Sequence, residues 1–328
     1  MKEFALPKQL EPVAPVHSYL KELHEKHGLE VYPVDPYVAV YKIRDNVWAM
    51  FAPCTHGVGD NWLYLVEGPE RALFIDNGYG IGNLRGLGEQ LTGKPVITAV
   101  THAHGDHAGG TPQWEEVYCH KYCAEMLELR KADYANWWNR FNRVGEKQHR
   151  LYYVPEDVIP YQEYKTIGLE NHAIINLGGD YDLEVIHMGG HAPGLCCFLD
   201  KKSRILYSGD AAFLSTVKGL GVGLNEADPN AVHPECMGIS YYSKQIAALA
   251  KRMDEFDTVM PGHGVIDCPP VIVEHLANAV KAVIADPYCY DGSIERHIGK
   301  VCYKSGGLAD IMYRPEVVIA NLEAYPLD

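Results

Sequence analysis

The sequence contains no apolar run long enough to span a bilayer, and its opening, Met1-Lys2-Glu3-Phe4-Ala5-Leu6-Pro7, lacks the apolar core and small-residue cleavage site of an export signal. These absences lead to the expectation of a cytoplasmic chain with no membrane partner. Positive charge is scarce: 29 Lys and Arg stand against 43 Asp and Glu, a formal net charge of -14. A surface of that sign repels phosphate backbones, which argues against a nucleic-acid substrate and against a nuclease. No stretch has the composition of a linker. The nine cysteines are odd in number and scattered, which fits reduced thiols rather than a disulfide framework. Cys119, His120 and Cys123 invite a metal-site reading, but three candidates at the start of a helix fit buried thiols better, and Cys196-Cys197 read as small core residues on a strand. What is present is ordinary globular material, 47% hydrophobic and 22% charged over 328 residues, enough for one large domain or two small ones.

One stretch is not ordinary. Thr101-His102-Ala103-His104-Gly105-Asp106-His107-Ala108-Gly109-Gly110 holds three histidines and an aspartate within six residues, entered from the apolar run Val96-Ile97-Thr98-Ala99-Val100. Histidines two apart on an extended segment point to one side, so His102 and His104 can grip one cation while Asp106 and His107, on the following turn, face a neighbouring site. Packing these groups without a cation would bring like-natured polar atoms together for no gain. Imidazole with carboxylate and no thiolate suits zinc or iron with an open coordination position better than calcium or magnesium.

This run resembles the HxHxDH signature of the metallo-β-lactamase fold superfamily, and the resemblance extends over residues 38 to 285. It implies an α/β (α+β by some schemes) four-layer αββα sandwich, with two mixed sheets face to face and helices outside. It also implies two Zn2+ per chain, with Fe or Mn as other options. His102, His104 and His191, from Gly189-Gly190-His191-Ala192-Pro193-Gly194, would hold the first metal. Asp106, His107 and His263, from Pro261-Gly262-His263-Gly264, would hold the second, and Asp210, from Ser208-Gly209-Asp210, would bridge them. Asp106 would also orient the attacking hydroxide and shuttle its proton. Asp76, in Phe74-Ile75-Asp76-Asn77-Gly78, would hold the metal-binding loop by hydrogen bonds, although Asn77-Gly78 alone would explain a turn there. His187 has no ligand role in the family pattern and reads as structural.

Along the chain, residues 1–36 read as an N-terminal extension with a helix from Val16 to His27 closed by Gly28. Residues 37–285 read as the metallo-β-lactamase-like domain, and 286–328 as a hairpin tail packed on it. Strands are expected at 38–43 and 47–51, at 62–67 and 71–76, and at 96–100 after a helix at 83–91 stopped by Gly93. A short strand near 117–119 and a helix from Lys121 to about Asp133 follow. Strands at 181–188, 195–199, 204–207 and 258–260 then lead to the later ligand positions. Helices are expected at about 242–254 and 269–286, and a terminal hairpin at 300–304 and 309–313. Residues 134–165, rich in aromatics and Arg, read either as an active-site cap or as a dimer interface. His56, in the glycine-bearing loop 52–61, together with Trp137, Trp138 and Phe213, are candidate substrate contacts, with a solvated loop histidine the other reading of His56.

The resemblance implies a binuclear zinc hydrolase attacking a small carboxylic ester, thioester, lactone or amide with a metal-bridging hydroxide. A mononuclear iron persulfide dioxygenase is the alternative, with β-lactamase and phosphodiesterase ranked below. Gly209-Asp210-Ala211-Ala212-Phe213 looks more like the Gly-Asp-x-x-Phe of the glyoxalase II branch than like the lactonases, which carry Tyr at the last position. No clear pair of basic residues follows His263 in the arrangement that branch uses for glutathione. The expected partner is a small molecule, with a homodimer open through the N-terminal extension and the terminal hairpin.

Overall fold

The computed structural model describes residues 15–28, 30–52, 60–131, 157, 160–217, 232–296 and 298–327. It divides into two compact units. The first comprises Met1–Cys119, Leu127–Ile167 and Asn176–Tyr181; the second comprises His120–Met126, Gly168–Ile175 and Asp182–Asp328.

The first unit is built on β1 (Glu30–Tyr32), β2 (Asp35–Arg44), β3 (Val47–Ala52), β4 (Asn61–Glu67), β5 (Ala72–Ile75), β6 (Val96–Ala99), β7 (Glu116–His120) and β8 (Lys165–Leu169). These strands line up in chain order in one sheet. Pairing is antiparallel from β1 to β5 and parallel from β5 to β7, so the sheet is mixed. All six residues of β3, Val-Trp-Ala-Met-Phe-Ala, are buried, which is why this strand reads as a continuous apolar run rather than an alternation. Among the helices, α1 (Pro15–His27) ends at Gly28 as expected. Next, α2 (Leu84–Thr92) is capped by the Asn83 side chain and stopped by Gly93 in the left-handed region at φ 64°. The four-residue α3 (Gly105–Ala108) and then α4 (Lys121–Lys131) follow in the chain. Asp35 on β2 is fully buried and accepts the Tyr37 N–H at 3.2 Å; burial pushes its carboxyl up to about 7.

The second unit carries two sheets. One contains β9 (Ile174–Asn176), β10 (Asp182–His187), β11 (Cys196–Asp200) and β12 (Ile205–Gly209), and the other contains β13 (Ser215–Val217). Further along come β14 (Thr258–Pro261), β15 (Gly292–Arg296), β16 (Gly299–Ser305) and β17 (Ala309–Tyr313). The sheet orders are β14-β12-β11-β10-β9 and β13-β17-β16-β15. Helices α5 (Gly238–Ala250), α6 (Val271–Ala285) and α7 (Pro315–Ala324) supply Ile239, Ile246, Ile272, Leu276, Val280 and Val318 to one apolar cluster with Leu206, Val259 and Tyr313. Each such aliphatic side chain, fully buried, contributes about 1.5–3 kcal/mol.

On β10, Glu184 would be pushed up by burial. The guanidinium of Arg252, at 2.9 and 2.8 Å, with His172 and Lys201, outweighs that and holds it down to about 2.

The helix expected at 242–254 starts four residues earlier, at Gly238, and ends at Ala250, with a separate 3-10 turn at Met253–Glu255. The terminal hairpin, β16 and β17, is where the sequence puts it. It is extended by β15, a mostly exposed strand with no apolar alternation to reveal it, and followed by α7, which has Pro315 in its first turn. None of the described cysteines forms a disulfide and only Cys289 is not buried, in line with the expected core roles of Cys119, Cys123, Cys196 and Cys197. No described helix is long and apolar enough to cross a membrane.

Candidate metal centre

In the first unit the histidine run begins shortly past the end of β6. Asp76, just past β5, sits in the left-handed region at φ 61°, and its N–H donates to the Ala99 carbonyl at 2.8 Å. That placement turns its carboxylate onto the loop. Oδ1 accepts the Thr101 N–H at 2.7 Å, the Thr101 hydroxyl lies 3.0 Å from both carboxylate oxygens, and Oδ2 lies 2.8 Å from His107 Nδ1. With Nδ1 of His107 donating to Asp76, the lone pair on Nε2 is left facing away from the anchor.

His102 is oriented in the same way, its Nδ1 3.1 Å from the Thr101 hydroxyl. Its Nε2 then lies 2.9 Å from His104 Nδ1, and the two rings meet edge to face at 4.5 Å, as the two-residue spacing predicts. Asp106 Oδ2 is 3.5 Å from His107 Nε2. The Asn61 side-chain amide donates to the Asp106 carbonyl, Asn77 N–H to the His107 carbonyl at 2.8 Å, and Gly110 N–H to Asn77 Oδ1 at 2.9 Å. Gly110 is required here: a Cβ would sit 2.2 Å from the Asn77 carbonyl oxygen.

In the second unit three separate strand ends deliver one ligand-type residue each. His191 lies in the loop after β10, Asp210 directly follows β12, and His263 follows β14. Because β12 and β14 are parallel neighbours in register at Gly209 and Pro261, their ends coincide, and Gly262 N–H donates to the Gly209 carbonyl at 2.8 Å. Asp210 Oδ2 is 3.3 Å from His191 Nε2 and Oδ1 is 3.4 Å from His263 Nε2, so one buried carboxylate has an imidazole on each oxygen. Phe213 is buried with its ring edge-on to His263 at 5.8 Å.

The donor chemistry fits a metal. Imidazole nitrogens set against carboxylate oxygens or one another at these distances gain little unless a proton or a cation lies between their lone pairs. All seven residues belong to His/Asp groups whose donor atoms could hold a metal ion, and their nitrogen and oxygen character suits zinc or iron. His56, Trp137 and Trp138 lie outside the described residues. Thr101, Asn61 and Asn77, which orient the first cluster, are not evident in the sequence; only Asn77, beside Asp76 in a turn, carried any signal.

Residues 56–283, well over half of the chain, match the family model described as the metallo-beta-lactamase superfamily. The chain belongs to the metallo-beta-lactamase superfamily. Its likeness to solved members of that superfamily shows the same fold. A metallo-beta-lactamase from Pontibacter korlensis aligns with a TM-score of 0.53 at 18% identity, covering 74% of this chain and 99% of that one. A metallo-beta-lactamase family protein from Thermus thermophilus aligns at 0.52 and 20% identity, covering 77% and 85%.

Among curated relatives, the acyl-coenzyme A thioesterase MBLAC2 of Homo sapiens is 30% identical over 178 residues, covering 46% of this chain and 58% of the relative. The Gallus gallus protein of the same name is 33% identical over 161 residues, covering 46% and 57%. The chain thus spans under two thirds of the length of these relatives.

Proposed function

We propose that the chain is a di-metal hydrolase of small acyl substrates, with acyl thioesters the first class to test. The observation that carries this reading is the buried carboxylate of Asp210 with an imidazole nitrogen against each oxygen, which suits a group shared by two cations. His102, His104 and His191 would hold one, Asp106, His107 and His263 the other, with Zn2+ the expected metal and Fe or Mn the other options. Such cations, when bound, acidify a water and draw electron density from the acyl oxygen. Asp106 takes the proton from the attacking water and returns it to the departing group, so a thioester and water yield a carboxylic acid and a thiol. No serine or cysteine nucleophile is required. The relatives named acyl-coenzyme A thioesterases favour the thioester within the broader set of esters, lactones and amides.

The test is metal analysis of the purified chain followed by a panel of acyl thioesters, esters, lactones and β-lactams. Two zincs per chain and thioester turnover are expected, with His102→Ala losing one metal and all activity. A His102→Ala variant that keeps both metals and full activity overturns the assignment. A single iron with oxygen consumption on persulfides selects the dioxygenase instead. The reading includes a cytoplasmic setting and leaves a homodimer open, which sedimentation of the metal-loaded protein reads directly.

A further inference from the structure

His187, the last residue of β10, is 3% exposed and both of its ring nitrogens are engaged. Nε2 lies 2.6 Å from the Pro193 carbonyl oxygen, which can only accept, so Nε2 carries the proton. Nδ1, then a lone pair, accepts from the Tyr241 hydroxyl at 2.8 Å. The ring is also held flat: His120 stacks on it at 3.8 Å with 3° between the planes, and Tyr122 packs against it edge to face at 5.6 Å. Burial holds both imidazoles below their ordinary 6.5, His120 down to about 3, so two neutral rings face each other without repulsion.

The loop this ring touches is the one that carries His191. Its two ends are tied by backbone bonds. Met188 and Gly189 donate to the Leu195 carbonyl at 2.8 and 3.0 Å, Gly190 donates to the Cys236 carbonyl at 2.8 Å, and Gly238 donates back to the Gly190 carbonyl at 3.0 Å. Gly189 and Gly190 take φ of 57° and 74° and run so close to the 236–242 segment that a Cβ would meet the Cys236 carbonyl at 2.5 Å or Tyr242 at 2.7 Å. Between those ties, Pro193 has no N–H, and its carbonyl is its only backbone handle.

We infer that His187, set in one tautomer by the Pro193 carbonyl, braced at Nδ1 by the Tyr241 hydroxyl and clamped against His120, positions His191 for metal binding by holding the Pro193 carbonyl. This rests on the reading of His191 as a metal ligand. It assigns a role to a histidine that holds no metal itself, and it makes helix α5, through Tyr241, part of the support of the metal centre. Removing a partner of this kind costs on the order of 10–100-fold in metal affinity.

The experiment strips the full chain of metal and reloads it with Zn2+ in competition with an indicator chelator. Co2+ loading in parallel reports coordination geometry through its visible bands. His187→Leu removes the donor, His187→Gln keeps an N–H near the Nε2 position, Tyr241→Phe removes only the hydroxyl, and His191→Ala is the ligand control. His187→Leu is expected to weaken one of the two sites by about 10–100-fold and shift the Co2+ bands. His187→Gln should recover most of that loss, and Tyr241→Phe should fall between, with the metal-free melting of the last two unchanged. If His187→Leu fails to fold, Tyr241→Phe decides. Wild-type affinity and bands in Tyr241→Phe and His187→Leu, with one site lost in His191→Ala, overturn the positioning role alone. Wild-type binding in His191→Ala overturns the ligand reading and this inference with it.

Discussion

The two units hold their ligand-type residues in opposite ways. The first concentrates His102, His104, Asp106 and His107 on one short run of chain, where the buried carboxylate of Asp76 holds Thr101 and His107, with Asn61 and Asn77 on the Asp106 and His107 backbone. The second gathers His191, Asp210 and His263 from three strand ends and relies on strand register and backbone bonds instead. A local motif of the first kind fails all at once when its anchor is lost. An arrangement spread over a sheet is buffered by every hydrogen bond in that sheet.

The sharpest way to break this contrast is at Asp76. Asp76→Ala leaves the Thr101 amide, the Thr101 hydroxyl and His107 Nδ1 without their acceptor in a buried place, which should cost about 3 kcal/mol and, on the proposed reading, metal binding by that loop. Chemical denaturation and metal analysis check both. A variant with normal metal content would show that the first cluster is no more dependent on one anchor than the second.

Acidity separates the units next, because one buried carboxyl in each, Asp35 and Glu184, is displaced, and the two are displaced in opposite directions. Glu184, held at about 2 against an ordinary 4.5, stabilises the fold above pH 4.5, and that contribution is lost as pH falls toward 2. Glu184→Gln should therefore cost roughly 2–3 kcal/mol at pH 7, with the deficit closing as unfolding is followed down through that window. Asp35, held at about 7 against 3.8, does the reverse: it favours the fold below pH 3.8, and stability is lost as pH rises to 7. Asp35→Asn should gain about 1 kcal/mol at pH 8 and nothing at pH 3.5, a smaller effect because the amide must also be buried without a partner for its second polar atom. Equal pH dependence for the two variants would erase the distinction.

The same contrast explains what was legible in the sequence. His102 to His107 announce themselves because a local motif is written in consecutive residues. The strands that carry the later ligand-type residues were also visible, since apolar runs such as Leu195 to Leu199 and Ile205 to Tyr207 are bounded by turn residues. The partnership of His187 with Tyr241 was not visible: the two stand 54 positions apart, and only the packing of α5 against the His191 loop brings them together. Nor was β15, whose exposed Ser293, Glu295 and Arg296 carry no inward face. The start of α5 was hidden because Gly238 and Ser240 argue against a helix, while the structure ties Ser240 to Asn321 on α7.

The parallel pairing of β12 with β14 fixes where Asp210 and His263 emerge, whatever the chain does between them. The segment from 211 to 257 leaves one strand end and returns to the start of its neighbour, so residues gained or lost within it change what surrounds the ligand pair without changing the pair's spacing. On the proposed reading, a lineage changes which acyl group it admits through this connection, provided that Tyr241 and the residues tied to the His191 loop are kept. New specificity would then come from the lengths of connections, and old reactivity would be inherited from the sheet.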